Sequence, residues 1–424
     1  LPQIVAEWKQ VIVTPFANSQ SPSVQRQDKL TFLMHAVKSD DWNAKYQALS
    51  QLVEFHDVLF ADSTLFDDLF YFAEDAQSSN ERYRSWNLLI DALTSYQFIH
   101  KNTLEGRLNS SFESGLESSF DIAAAEQVAN EAHLRLLALL DDPHINKPKQ
   151  VIYSDIADLR NTHLATPLLQ RLENLFEHTP QKHKEERKYL FDTLVKISGY
   201  DQHIDDYLDE REDRRWLQRQ HPRDSQVLLS LFTTLMNHSG YALAAQLLPS
   251  LAWVQSDDSD LSSRIDTALA LAYEQMPANH TFKLVEALAY RAKRRHSSIT
   301  SLQNALRNKD ADVQFAAAEG LAKCGHADGV NILMATIDYN PDAEFRSCSV
   351  LAIGELLGNS NNQNANSPAD NADKNLQVHT LYKAYDKLIK LAEDDEHYLQ
   401  DVASEALGRL AQGGDFEHSP HIFE

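Results

Sequence analysis

The 424 residues carry 39 Lys and Arg against 62 Asp and Glu, a formal net charge of −23 at pH 7, and 43% of them are hydrophobic. That apolar content supports a large interior and excludes a wholly disordered chain. The acidic field repels phosphate backbones and acidic membranes unless a local basic face overrides it, and it is compatible with a basic protein partner.

Residues 1–27 read as a lead-in segment or linker, with a β-prone run at Val11, Ile12 and Val13. Over 28–100 the apolar spacing predicts paired helices at 30–37, 42–55, 65–72 and 82–96. Residues 101–120 are Ser-rich, contain Gly106 and Gly115, and read as a connection. Degenerate helical repeats are expected over 121–295, starting with a helix at 122–140 that stops at Asp141-Asp142-Pro143. Further helices are predicted at 164–176, 185–197, 203–218, 226–236, 241–254, 261–273 and 282–292. Only 12 Gly and 13 Pro punctuate the chain, and no long alternating strand appears, so an all-α fold is expected rather than βαβ units.

From 296 to 412 one helix is written three times in one register. The first copy places Val313, Ala316, Ala317, Gly320, Leu321 and Cys324 on one stripe. The second places Phe345, Cys348, Ser349, Ala352, Ile353 and Leu356 there, and the third Leu399, Val402, Ala403, Ala406, Leu407 and Leu410. This i, i+3, i+4, i+7, i+8, i+11 spacing marks a buried face. Two columns are small in every copy: Ala317, Ser349 and Ala403, then Gly320, Ala352 and Ala406. Small residues there let neighbouring helices approach closely. The preceding helices keep register as well, with Leu302, Met334 and Leu388, then Ala305, Ile337 and Leu391. Asp310, Asp342 and the run Glu393-Asp394-Asp395-Glu396 suit tight turns and the positive end of the next helix. A helix pair that cannot bury its own face must stack on its neighbours, which predicts an α-α superhelix of antiparallel pairs. Residues 359–375 are a polar, Asn-rich insert expected to form a mobile loop, and 413–424 form a tail.

The segments Ala352-Ile353-Gly354-Glu355-Leu356 and Ala406-Leu407-Gly408-Arg409-Leu410 resemble the core of the HEAT family, in the short bacterial form that bilin-lyase-like proteins share. Gly325-His326-Ala327-Asp328-Gly329 is similar to that family's link into the next helix. Of the family's arginine position only Arg346 fits; Gln314 and Gln400 stand in the other copies. The resemblance implies a HEAT/ARM-like solenoid that binds partners. It implies no reaction.

Motifs for chemistry are absent: no phosphate loop, no Gly-x-Ser-x-Gly, no His-Glu-x-x-His and no His-Glu pair. No cofactor and no metal are expected, His418 and His421 lying in the tail without a rigid frame. Cys324 and Cys348 fall on the repeat stripe and read as packing residues. Two basic clusters interrupt the acidic background and are the candidate partner-binding residues: Arg214, Arg215 and Trp216, then Arg291, Lys293, Arg294 and Arg295. No stretch approaches the roughly 20 apolar residues of a membrane span, and no signal-peptide pattern opens the chain. A cytoplasmic protein without a membrane role is expected. The start at Leu1 rather than Met fits an excised piece of a longer protein. The function expected is a non-enzymatic protein–protein interaction scaffold with a concave binding face. The alternative is a nucleic-acid-associated HEAT-like protein, DNA-binding or glycosylase-like, that uses a local basic face.

Overall fold

A computed structural model describes residues 22–53, 55, 63–74, 78–104, 122–141, 148–178, 183–200, 224–254, 258–295, 298–363, 371–394 and 398–413. These residues hold eighteen α-helices, three short 3-10 turns and no β-strand. They divide into two compact units, Leu1–Asp201 with Leu208–Arg223 and Gln202–Tyr207 with Asp224–Glu424.

The first unit holds α1 (Pro22–Ala36), α2 (Trp42–Leu52), α3 (Ser63–Glu74), α4 (Ser79–Leu104), α5 (Ile122–Ala138), α6 (Lys149–Asp158), α7 (Ala165–His178) and α8 (Lys184–Ile197). Helix α1 opens on a proline, whose missing N–H costs nothing at that position, so residues 22–27 are helical rather than lead-in. Residues 101–104, expected in the Ser-rich connection, close α4. Trp86 of α4 is buried, and its Nε1 donates to an Asp155 carboxylate oxygen on α6 at 2.8 Å. Helix α6 has no counterpart among the sequence expectations. Val151-Ile152-Tyr153 reads as a β-prone run and hides the i, i+4 stripe of Ile152 and Ile156.

The second unit is a stack of five antiparallel helix pairs. They are α9 (Ser225–Asn237) with α10 (Tyr241–Trp253), α11 (Ser259–Gln275) with α12 (Ala278–Arg295), and α13 (Ile299–Ala305) with α14 (Ala311–Lys323). Then come α15 (Val330–Tyr339) with α16 (Ala343–Gln363) and α17 (Asn371–Glu393) with α18 (Gln400–Gly413). Second helices pack on second helices, α10 to α12 to α14 to α16 to α18, far more extensively than first helices pack on one another. The described residues are all-α, and this unit has the stacked-pair arrangement of an α-solenoid.

The small columns explain that closeness. Ala317, Ser349, Ala352, Ala403 and Ala406 are essentially buried, as are Leu321 and Ile353. Leu407, Phe345 and Cys348 are half-buried at the stripe's margin. A Cβ on Gly354 would stand 2.8 Å from the Ala406 Cβ, so α16 and α18 touch at backbone distance. One apolar cluster runs through α14, α15, α16, α17 and α18, from Ala318 and Leu333 through Ala352 and Leu388 to Ala406.

The turns repeat as faithfully as the helices. Asn308 and Asn340 each accept a bond from the backbone N–H of Asp310 and Asp342, at 3.0 and 2.8 Å. Those aspartates in turn accept from the N–H groups of Asp312 and Glu344, at 2.9 and 2.8 Å. Each aspartate thus caps a helix N-terminus and answers its orphan amides. Ser39 and Asp41 make the same two bonds before α2 in the first unit. Gly325 follows α14 with φ 82, and the His326 N–H returns to the Leu321 carbonyl at 2.9 Å, a C-terminal stop that needs a left-handed residue. The Asn-rich insert is helical at both ends, since α16 runs to Gln363 and α17 begins at Asn371.

Candidate functional site: the second-helix face of the C-terminal stack

Each second helix buries one stripe against its pair and its neighbours and turns another outward. On α12 the outward stripe is Lys283, Glu286, Tyr290 and Lys293, and on α14 it includes Glu319 and Lys323. On α16 it includes Glu344, Cys348 and Glu355. Spacings of three and four residues put each set on one side of its helix.

The charges on this face cross between helices. Lys293 of α12 reaches Glu355 of α16 at 3.0 Å, with side chains 50% and 26% exposed. Lys323 pairs with Glu319 on α14 at 2.6 Å. Burial pushes the Glu286 carboxyl up, and the Glu319 carboxylate facing it pushes in the same direction, against a smaller opposing pull from Lys283 and Lys323. Exposed pairs of this kind contribute little to stability. At one end of the face Trp253, the last residue of α10, is 54% exposed, and its ring lies 4.6 Å from that of Tyr290 on α12.

The basic cluster expected from the sequence is only partly here. Arg291 is a correction: it is 1% exposed and points inward. It forms an ion pair with Asp266 of α11. Its Nη1 donates to the Leu251 carbonyl at 3.1 Å and its Nη2 to the Ser262 carbonyl at 3.0 Å. The guanidinium therefore clamps α10, α11 and α12 and is not available to a partner. The reason lies in its register, three residues after Leu288 and seven after Leu284, both fully buried. Lys293 does lie on the face; Arg294 and Arg295 close α12, with their side chains outside the described residues. Arg214, Arg215 and Trp216 also lie outside the described residues.

Arg346 and Gln314, which share one register position, behave differently. Arg346 holds its guanidinium 4.9 Å from the centre of the Tyr398 ring, a cation–π contact. Gln314 instead donates to the Asn308 carbonyl at 2.6 Å, locking the turn before its own helix.

The first unit holds a different polar cluster that the sequence did not reveal. Glu186 of α8, 5% exposed, accepts from Lys149 at 2.8 Å, Tyr153 at 2.9 Å and Arg171 at 2.9 Å. Arg171 also holds Asp141 through two bonds of 2.6 Å. Burial raises the Glu186 pKa, but these three donors outweigh it and leave it below the usual carboxylate range. The Arg171 bonds lower Asp141 in the same way. These bonds join α6, α7 and α8 through one shared carboxylate.

Among the described residues no group of three or more His, Cys, Asp or Glu could hold a metal ion. His418 and His421 lie outside them. Burial pushes the Cys324 thiol up to about 11 and raises Cys348 too, the reverse of nucleophile activation. No helix of the described residues is long and apolar enough to cross a membrane.

Comparison with known proteins adds the following. No family model matches the chain. No curated protein matches it in sequence. Among solved structures, a crystal structure of a Kap121p mutant aligns over 97% of this chain with 12% identity and a TM-score of 0.44. This chain spans 42% of that one.

Proposed function

We propose that the chain is a non-enzymatic scaffold that binds a protein partner on the face formed by its second helices. The observation that carries this is the asymmetry of the stack: second helices meet at backbone distance through Gly320, Gly354 and Ala406 and pack on one another far more extensively than first helices do. Shortening one layer curves a stack toward it, which makes the second-helix face concave and gives a partner an extended, charge-patterned surface. The three copies from 296 to 412 remain, in this reading, short HEAT repeats of the bacterial form.

The nucleic-acid alternative is disfavoured by Arg291, whose charge is buried against Asp266, and by Lys293, whose charge meets Glu355. A basic groove for a phosphate backbone needs several cations facing solvent together.

Photo-crosslinking from the two layers tests the proposal. Benzoylphenylalanine is placed at Lys283 or Glu355 on the second helices, and at His379 or Lys383 on the first helices. Capture of one protein in cells from the second-helix positions alone is expected. Capture from the first-helix positions alone overturns the reading.

A further inference from the structure

We propose that His133 of α5 and Asn161, in the link between α6 and α7, form a proton-operated latch, closed while the imidazole is neutral and opened by a proton on its Nδ1. The device belongs to the first unit and is independent of the scaffold reading.

The hydrogen bonds fix the closed state. Asn161 is the N-cap of the 3-10 turn Thr162–Leu164, and its Oδ1 accepts from the His163 N–H at 2.9 Å. A backbone N–H can only donate, so the other end of the carboxamide, Nδ2, is the one turned to α5. There it lies 2.9 Å from His133 Nδ1 and 3.2 Å from Asn130 Oδ1. His133 Nδ1 is therefore the accepting nitrogen, and the ring proton sits on Nε2. The ring is wholly buried, and Nε2 has no hydrogen-bond partner. Among the described residues Asn161 is thus the hydrogen-bonded tie between this ring and the link.

A proton from solvent that takes the Nδ1 lone pair turns the acceptor into a donor that faces a donor. Asn161 must then flip, losing the His163 N–H, or withdraw. The Ala129 carbonyl, one turn back on α5, offers the imidazolium an acceptor on its own helix. The link is also under tension, because Arg160 holds φ 45, a left-handed conformation that a residue with a Cβ keeps only under constraint.

Burial outweighs the Ala129 carbonyl and brings the pKa of the closed ring down to about 4, and His163 pushes in the same direction. Charges on the neighbouring helices are engaged elsewhere: Arg135 pairs with Asp67 of α3, and Asp91 of α4 lies near Asp155 of α6. A released ring returns to the ordinary value of about 6.5, so the opening constant should rise about fiftyfold between pH 7 and 4.5.

Hydrogen exchange of the full chain at pH 7 and 4.5, corrected for intrinsic rates, tests the latch. Protection of the His163 and Leu164 amides should fall about fiftyfold, while α5 and α7 stay protected. Asn161→Asp keeps an acceptor for the His163 N–H and gives a protonated Nδ1 a carboxylate, so its link should stay closed at pH 4.5. His133→Gln removes the titrating ring and should show no acid-dependent loss in the link. Circular dichroism checks that each variant is folded, and if one is not, the wild-type pattern and the other variant decide. Unchanged protection in the wild-type link, a loss shared equally with α5 and α7, or the wild-type loss in either folded variant would overturn the latch.

Discussion

Gly320 of α14 lies directly against Ala289 of α12, so that a Cβ at position 320 would stand 3.1 Å from the Ala289 Cα and inside contact distance of its Cβ. The bare Gly320 backbone against the Ala289 methyl group and Cα sets the spacing between these helices. Adding atoms there must push the helices apart. Gly320→Val should cost about 2–3 kcal/mol in urea unfolding, as overpacked cores do. Gly408, whose added Cβ meets nothing within 4 Å, gives the opposite outcome. Gly408→Ala should stabilise by about 0.5–1 kcal/mol, because only the helix propensity changes.

Arg291 should act as a structural clamp. Arg291→Met removes the partner of Asp266, whose side chain is 14% exposed, and leaves the Leu251 and Ser262 carbonyls without their donor. A loss of about 3–5 kcal/mol is expected on denaturation. Arg291→Lys should recover less than half of it, since a single ammonium cannot replace the planar fork.

Acid should weaken the first unit in two separate steps. His133 of α5 is fully buried, with Nδ1 2.9 Å from the Asn161 amide and Nε2 without a hydrogen-bond partner. Burial lowers its pKa to about 4, so the fold holds the neutral ring. A depressed histidine loses its contribution as pH falls below the unfolded value of about 6.5, and the loss levels off near 4; about 3 kcal/mol is at stake. Glu186 and Asp141 are also held low, and their contribution is lost only as pH falls through the ordinary carboxylate range and below. Melts across pH 7 to 4.5 should therefore flatten in His133→Gln. Melts below pH 4.5 should remain steep in that variant.

The repeated turn aspartates are local stops. Asp342→Ala removes the acceptor for the Glu344 N–H and should cost about 1 kcal/mol, read as a lower thermal midpoint.

The stack was legible from Gly320, Ala352 and Ala406, because a solenoid writes its packing as a column that recurs in each copy. Helices α9 to α12 showed their apolar stripes but no shared frame, since pairs of unequal length break the register. Arg291 misled because a run of cations reads as a surface, and its buried partners come from α10 and α11, 40 and 25 residues away. Trp253 and Tyr290 gave no joint signal for the same reason: their stacking belongs to neighbouring pairs. The Glu186 cluster draws on α6, which a β-prone Val-Ile-Tyr run concealed.

A buried charge at Ala352 tests the continuous interior most directly. Ala352 is wholly buried in the cluster that joins α14 to α18. Hydrogen exchange on Ala352→Glu should show amide protection falling in α14 and α18 as well as α16, with the first unit unchanged. Loss confined to α16, with its neighbours as protected as before, would contradict an interior shared between helix pairs.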